Sequence, residues 1–317
     1  MILNTGSRTD IPAFYAEWFV RRLREGFVMA RSPYDPQRIT RYVLDPAVVD
    51  LIVFCTKNPA PLLAYRDALA SFRQFWGVTI TPYGKDVEPE TPPVEAAIAS
   101  LAALSRIVGR RAVHWRYDPV FITEKYTLDF HRQAFRRMAE KLSGATENCV
   151  VSFVDLYKKT QRNFPALREV SAEERLALGK TFAAVGREFG IKVRTCLEGD
   201  DLAPFGIDTQ GCMTQAVLEE AVGCRFHIPR TSAARKGCAC LLGNDIGVYN
   251  TCAHFCRYCY ANASVAAVRK NRARHDPASP LLVGHIEPGD RVQEAKQVSY
   301  VMESEQLGLF CEGAMGF

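Results

Sequence analysis

Short apolar segments rich in β-branched residues alternate along the chain with longer amphipathic segments. The apolar segments have the length of buried strands, and the amphipathic ones have the period of helices packed on a core. The predicted strands are Ile2–Thr5, Leu51–Thr56, Phe75–Thr81, Ala112–Tyr117, Cys149–Val154, Lys192–Leu197 and Asp245–Asn250, with a weaker one at Leu281–Gly284. The predicted helices are Pro12–Glu25, Pro59–Ser71, Pro93–Val108, Asp129–Leu142 and Ala172–Phe189.

This alternation of strands and helices indicates a parallel sheet with right-handed crossovers. We therefore expect an α/β fold, and within that class a (β/α) barrel of the TIM type, full or partial. No long low-complexity linker divides the chain, which favours one catalytic domain over residues 1–302. An irregular cysteine-rich insertion is expected at about 200–243, and a tail at 303–317.

Composition places the chain among ordinary globular proteins, with 48% hydrophobic and 24% charged residues in 317. It has no apolar run of about 18 residues and no signal peptide at its start, so we expect a cytoplasmic protein and no membrane partner. Eleven cysteines in such a chain favour thiols kept reduced for metal over a disulfide framework. The formal net charge of +5 permits an anionic partner such as nucleic acid.

The strongest chemical signal is the spacing Cys-x3-Cys-x2-Cys at Cys252, Cys256 and Cys259. Three thiolates at this spacing could ligate three corners of a [4Fe–4S] cluster and leave the fourth iron open for a substrate or cofactor. The alternative is a zinc site with one ligand from elsewhere, although zinc sites usually pair their cysteines twice. Tyr258 stands immediately before the last cysteine of the set.

With an aromatic residue at that position, the cysteine pattern resembles the signature of the radical S-adenosylmethionine (SAM) superfamily. Such enzymes usually carry these cysteines after the first barrel strand, so their place near the end of this chain implies a circularly permuted barrel. The resemblance further implies that SAM binds the open iron and is cleaved reductively to a 5′-deoxyadenosyl radical. It implies a protein reductant such as flavodoxin or ferredoxin.

Two branches are similar to this chain. Short motifs at Ser7–Asp10, Phe54–Lys57 and Val78–Thr81 resemble spore photoproduct lyase, which would connect the chain with DNA repair. The whole chain over about 1–300 also resembles DUF1848, an uncharacterised bacterial family with a C-terminal radical-SAM-like cysteine cluster. The motifs that carry this second resemblance are Arg8–Tyr15, Thr56–Pro59, Trp115–Pro119 and Asp245–Asn262.

Polar residues recur at the strand ends, where a barrel places its chemistry. The resemblance implies that Lys57 binds the SAM carboxylate, with a surface lysine as the alternative. The remaining cofactor-binding candidates are Ser7, Asp10, Thr79, Thr81 and Tyr258. The hydroxyls among them could instead bond neighbouring backbone.

For the substrate side, the candidates are Arg116, Asp118 and Asp155. An arginine at a strand end suits a phosphate or carboxylate through two parallel hydrogen bonds. The alternative is an Arg–Asp pair that only braces the rim.

Four further cysteines crowd the region before the last predicted strand and are candidates for a second [4Fe–4S] cluster: Cys196, Cys212, Cys238 and Cys240. Spacing alone does not separate this cluster from a zinc site or from unligated thiols.

The segment Gln306–Phe310 in the tail resembles the pentapeptide with which bacterial repair proteins dock on the DNA sliding clamp. Packing of its apolar residues on the barrel is the alternative. Together these patterns favour a radical SAM enzyme with nucleic acid as one possible substrate. A radical SAM enzyme acting on a small molecule or peptide is the second interpretation. A non-enzymatic iron–sulfur or zinc protein that binds nucleic acid or transfers electrons is the third.

Overall fold

Parallel strands dominate the computed structural model, which describes residues 1–229, 238–241 and 243–302. The strands are β1 (Ile2–Asn4), β2 (Phe27–Arg31), β3 (Arg38–Val43), β4 (Leu51–Thr56), β5 (Gln74–Thr79), β6 (Val113–Val120), β7 (Asn148–Phe153), β8 (Lys192–Thr195) and β9 (Arg291–Glu294). One sheet has the order β1-β4-β5-β6-β7-β8, and every neighbouring pair in it is parallel. The predicted α/β class is therefore confirmed, and so are the six predicted strands that build this sheet.

Helices lie between the strands of this sheet and after its last strand. They are α1 (Ile11–Phe14), α2 (Ala16–Glu25), α3 (Ala60–Leu63), α4 (Arg66–Leu69), α5 (Val94–Val108), α6 (Leu128–Leu142), α7 (Lys158–Asn163), α8 (Ala172–Glu188), α9 (Gln215–Val222) and α10 (Val265–Arg272). The capping box predicted for α8 is present, because Ser171 and Glu174 exchange side-chain to backbone hydrogen bonds of 3.2 and 2.9 Å. The first two predicted helices each break into two short ones, and α7, α9 and α10 were not predicted.

The two faces of the parallel sheet pack against different parts of the chain. On the outer face, the large side chains of Trp76, Trp115 and Tyr117 pack against α2, α5, α6 and α8 in the main core. On the opposite face, here called the inner face, Val53 and Phe75 pack against α9 and the cysteines around it. Side chains alternate between the faces along each strand, so the residue between Trp115 and Tyr117 points to the inner face.

Within the described residues the sheet does not close, so of the full or partial TIM-type barrel that the sequence predicted, the full one is wrong. Its edges are β1 and β8, and in the described part of the chain each gains one parallel bridge beyond it, Asn4–Asp245 and Arg194–Asp208. The strand predicted at Asp245–Asn250 therefore contributes a single bridge. After β8, the described residues that cover the inner face include α9 and irregular segments.

A second, three-stranded sheet with the order β2-β3-β9 was missed. Its β2 and β3 form an antiparallel pair, and β9 joins β3 in parallel. Most residues of these strands are half-buried or exposed and several are charged, so the strands lack the apolar pattern that identifies a core strand. The weak strand predicted at Leu281–Gly284 contributes one bridge, from Leu281 to Met29 in β2.

The cysteine-rich region lies on the inner face. Cys196, Cys212 and Cys240 are buried in an apolar cluster with residues of β1, β4, β5 and β7. Within the described residues, none of the helices is both long enough and apolar enough to cross a membrane. The predicted tail at 303–317, including the clamp-like Gln306–Phe310, lies outside the described residues.

Candidate metal centre

The cysteine loop, residues 252–259, lies over the segment that follows β5. The N–H of Glu90 donates to the carbonyl of His254 at 3.2 Å, and the N–H of Arg257 donates to the carbonyl of Val87 at 3.0 Å. These backbone bonds hold the loop at the carboxyl end of the parallel sheet, where ligand sites of such sheets are found.

Backbone amides point at the sulfurs of this loop. The N–H of Ala261 donates to Cys259 Sγ at 3.4 Å, and the N–H of His254 stabilises the thiolate of Cys252. Burial raises the pKa of all three thiols, Cys256 included, so they are protonated without a metal. A bound metal would displace these protons and keep the N–H donors as outer partners that tune its ligands.

The donor set of the loop fits the implied cluster. Among the described residues, the group of possible ligand atoms that all lie within 4.8 Å of one another is formed elsewhere, by Cys196, Cys212 and Cys240. The three loop sulfurs do not all meet that distance. In a [4Fe–4S] cluster each thiolate binds a different iron, so its sulfur ligands need not be that close, and three cysteines with N–H donors to their sulfurs provide the ligands.

A buried ion pair adjoins the loop. Lys57 Nζ lies 2.9 Å from Glu88 Oε1 and 3.0 Å from Thr81 Oγ1, and it stands 5.8 Å from the centre of the Tyr258 ring. The Tyr258 hydroxyl donates to the same oxygen of Glu88. The Lys57 side chain is 12% exposed, so it is not a surface lysine.

The charges around Lys57 keep its ammonium protonated. Burial acts to lower the pKa of Lys57, but the carboxylate of Glu88 outweighs burial and raises it. Lys57 in turn opposes the effect of burial on the pKa of Cys256. A cation and a carboxylate therefore stand next to a cysteine of the loop, in a place where little solvent screens them.

Asp10 serves as a brace between the sheet and the cysteine loop. Its carboxylate accepts from Thr56 Oγ1 at 2.6 Å, from the N–H of Lys57 at 2.8 Å and from the N–H of Ala13 at 3.0 Å. His254 Nε2 lies 2.9 Å from the same carboxylate. These contacts occupy the oxygens of Asp10, so the structure places this residue behind the loop as a support for His254.

Ser7 and Thr79, two predicted cofactor residues, contact other parts of the structure. The carbonyl of Ser7 accepts from the hydroxyl of Tyr260 at 2.6 Å, and its N–H donates to Asp245 at 3.0 Å. Thr79 pairs with Arg116 across β5 and β6. Ser7 thus bonds Tyr260 just after the cysteine loop, and Thr79 lies beside Arg116, a candidate substrate residue.

Arg116 and Asp118 form the ion pair that the sequence analysis had left open. Arg116 donates to Asp118 Oδ2 at 2.5 Å, and Ser152 Oγ donates to the other carboxylate oxygen. Asp118 is also close enough to Lys57 to contribute to its raised pKa. Asp155 is exposed after β7 and accepts from the hydroxyl of Tyr157 at 3.2 Å. Asp118 therefore connects Arg116 with the surroundings of Lys57, whereas Asp155 is exposed to solvent.

Glu198 was not predicted as a site residue, but it lies close to Asp118 and Asp155. It lies 3.3 Å from Arg175 and accepts from the N–H of Phe153 at 2.8 Å. Burial, aided by the carboxylates of Asp155 and Asp118, raises the pKa of Glu198 to about 7. A carboxyl group with such a pKa can exchange a proton near neutral pH.

We expect Glu198→Gln to flatten the pH dependence of stability. Because the pKa of Glu198 is raised in the folded protein, its neutral carboxyl contributes fully to stability at pH values below its ordinary pKa of 4.5. This contribution is lost as the pH rises through about 7. Between pH 5 and 8 the unfolding free energy of the parent should fall by about 1–3 kcal/mol more than that of the variant. Urea titrations at both pH values measure this, with the exposed Glu140→Gln as control. Equal pH dependence in parent and Glu198→Gln would contradict the assignment.

Aromatic rings and cations line the rim beside the loop. Tyr157 and Tyr260 are 43% and 48% exposed, and their ring centres lie 6.2 Å apart. Lys159 Nζ lies 5.9 Å from the ring centre of Tyr249 and 3.4 Å from the carbonyl of Tyr260, while the Arg8 guanidinium lies 5.8 Å from the same Tyr249 ring. Cations interleaved with exposed rings are typical of surfaces that bind single-stranded nucleic acid.

The second set of candidate ligands is only partly brought together. Cys196, Cys212 and Cys240 offer three buried sulfurs within 4.8 Å of one another and could hold a metal or cluster. Cys238 is outside that group, and its sulfur accepts from the N–H of Cys240 at 3.4 Å. Arg116 lies beside Cys212 and, with the neighbouring thiols of Cys196 and Cys240, lowers its pKa.

Comparison with known proteins identifies one family. The family model described as Domain of unknown function (DUF1848) matches residues 2–261, a span that includes the entire parallel sheet and all three cysteines of the loop. The comparison with curated proteins and the comparison with solved structures gave no match.

Proposed function

The chain belongs to the DUF1848 family, and from the geometry of its cysteine loop we propose that the protein is a radical SAM enzyme. In this proposal Cys252, Cys256 and Cys259 hold a [4Fe–4S] cluster with one iron open to SAM. A cluster held by these residues and reduced by a flavodoxin- or ferredoxin-type protein would supply the electron for reductive cleavage of SAM and thereby hydrogen abstraction from the substrate.

The observation that carries this proposal is the buried Lys57–Glu88 pair beside Cys256. The methionine end of SAM is a zwitterion, with one ammonium and one carboxylate. A lysine and a glutamate fixed next to the loop provide the complementary charges, and burial strengthens both contacts. A zinc knuckle has no need of such a pair. Thr81 and Tyr258 hold Glu88 in place, so these two predicted cofactor residues would act through the glutamate.

The chain's own residues would orient the reaction. Asp10 fixes His254 and with it the cysteine loop, so the open iron would keep its position relative to the strand ends. Arg116 and Asp118 face the site from β6, where they would contact the substrate. Glu198, with its pKa near 7, is suited to accept or donate a proton there. Burial of these groups excludes water, which a reactive radical requires.

For the substrate class we propose a single-stranded or locally unpaired nucleic acid. The rim around the loop offers Tyr157 and Tyr260 as exposed rings and Lys159 and Arg8 as cations. Bases would stack on the rings while the cations contact the phosphates. A small molecule or a peptide is the competing substrate, but neither needs a rim of this composition. A nucleic-acid substrate would also agree with a role in DNA repair.

Reductive cleavage of SAM tests the proposed activity. Anaerobically reconstituted protein with a chemical reductant or flavodoxin should release 5′-deoxyadenosine and methionine in equal amounts, measured by liquid chromatography. Protein that holds iron but releases no 5′-deoxyadenosine would favour the non-enzymatic iron–sulfur interpretation.

Binding of a labelled single-stranded oligonucleotide tests the substrate class. We expect Tyr260→Ala to weaken binding by about 1–3 kcal/mol, because one base loses its stacking partner. Tyr260→Phe keeps the ring and should bind like the parent. Lys159→Ala should reduce the slope of log affinity against log salt by about one unit, whereas the exposed Lys180→Ala on α8 should not. Equal affinity of Tyr260→Ala and Tyr260→Phe would argue for a small molecule or peptide instead.

A further inference from the structure

The thiols of Cys196, Cys212 and Cys240 converge from distant parts of the chain. Cys196 follows β8, Cys212 lies shortly before α9, and Cys240 comes after it. All three are buried, and their sulfurs lie within 4.8 Å of one another. The Sγ atoms of Cys212 and Cys240 are 3.4 Å apart, which is too long for a disulfide at about 2.05 Å.

The distances between these sulfurs decide what they could hold. With a Zn–S bond of about 2.3 Å, tetrahedral geometry places two sulfur ligands about 3.8 Å apart. The observed group has this compactness. A [4Fe–4S] cluster would place each thiolate on a different iron and so separate the sulfurs more widely. The spacing of the group therefore fits one ion better than the second cluster that the sequence favoured.

Neighbouring donors complete the environment of a thiolate site. The N–H of Met213 donates to Cys240 Sγ at 3.3 Å. The guanidinium of Arg116 lies beside Cys212 and would balance the negative charge that three thiolates leave on a divalent ion. Amide and guanidinium donors to metal-bound sulfur are the usual outer partners of thiolate sites.

We propose that Cys196, Cys212 and Cys240 bind a single tetrahedral divalent ion, and thiolate ligands with this spacing select zinc. The ion would fasten the segment around α9 to the end of β8 and so hold the cover of the inner face in place. Cys238, two residues before Cys240, is the nearest further thiol in sequence for the fourth position. This inference does not rest on the proposed radical chemistry.

Metal analysis by mass spectrometry of protein purified from zinc-supplemented cells tests the site. We expect about one zinc per chain in the parent, and the same in Cys256→Ala, which disables only the loop. Cys212→Ser should lose the zinc. Cys224→Ser, a buried thiol of the same apolar cluster outside the group, should keep it. Replacement of zinc by Co²⁺ should add sulfur-to-cobalt charge-transfer bands that Cys212→Ser lacks.

Two results would overturn the proposal. One is about eight irons per chain after anaerobic reconstitution, four of them lost in Cys212→Ser, which would establish a second cluster. The other is a parent protein that contains no zinc. In that case the thiols of Cys196, Cys212 and Cys240 would all react with a thiol reagent after denaturation without chelators, because no metal protects them. If Cys212→Ser does not fold, X-ray absorption at the zinc edge of the parent decides. It should show Zn–S distances of about 2.3 Å, and their absence would equally overturn the site.

Discussion

Cys256→Ala is expected to abolish SAM cleavage and to remove most of the iron bound at the loop, while the fold persists. Cys256 is a half-buried residue of a loop, and none of the apolar clusters includes it. Its loss leaves two thiolates where three are needed to hold an open cluster. Removal of an outer partner of a metal ligand typically costs roughly 10–100-fold in affinity or activity, and loss of the ligand itself should cost more.

Iron content, the visible absorbance of the cluster and 5′-deoxyadenosine release measure this effect together. The matched control is Cys149→Ala, which removes a buried thiol of the main core that is not a proposed ligand. That variant should lose some stability and keep its iron. Far-ultraviolet circular dichroism shows whether each variant is folded. A folded Cys256→Ala protein with the iron content and SAM turnover of the parent would disprove the cluster assignment.

The sequence predicted the parallel sheet well, because its strands are short apolar runs that differ sharply from the helices between them. Residues such as Trp76 and Trp115 are buried on the outer face as the pattern required. The closure of the sheet was not predictable in the same way. Whether Asp245–Asn250 adds a full strand or one bridge depends on how the cysteine-rich segment covers the inner face, and local periodicity carries no information on that packing.

Part of the candidate site could likewise be predicted from the sequence, and part could not. The cysteine loop and Lys57 were recognisable because their residue types and spacing are rare. Glu88 was missed as a partner because it lies in a proline-rich loop, where an acidic residue is normally solvated. Only the tertiary fold brings its carboxylate within 2.9 Å of Lys57. Glu198 was missed for a similar reason, since its raised pKa arises from burial and from carboxylates distant in sequence.

For the three-sulfur group of Cys196, Cys212 and Cys240, the sequence predicted more than the structure brings together. Four cysteines in one region suggested a second cluster, since a spacing in sequence says nothing about distances between sulfurs. The structure groups three of them tightly and leaves Cys238 outside the group. Such distances bear on the choice between a single-ion site and a cluster, and they are available only once the segment around α9 is placed on the sheet.

Lys57→Ala is expected to weaken SAM binding about ten- to a hundred-fold, or about 1.5–3 kcal/mol, without removing the cluster. The ammonium of Lys57 is held beside Cys256 by Glu88 and Thr81, and it would form a charge-assisted bond with the SAM carboxylate. Lys57→Arg should restore only part of the affinity, because a planar guanidinium cannot take the place of a compact ammonium in a buried pocket. Anaerobic calorimetry with reconstituted protein measures the affinity, and iron analysis verifies the cluster.

The main complication is that Lys57→Ala also leaves Glu88 buried without its cation, which by itself could disturb the site. The double variant Lys57→Ala with Glu88→Gln removes that unpaired charge. If Lys57 contacts SAM directly, the double variant should bind SAM no better than the single one. Recovery of the parent affinity in the double variant would show instead that the lysine serves only to neutralise Glu88. Lys85→Ala is the matched control, because this exposed lysine of the same segment bonds the carbonyl of Thr91 and should leave SAM affinity unchanged.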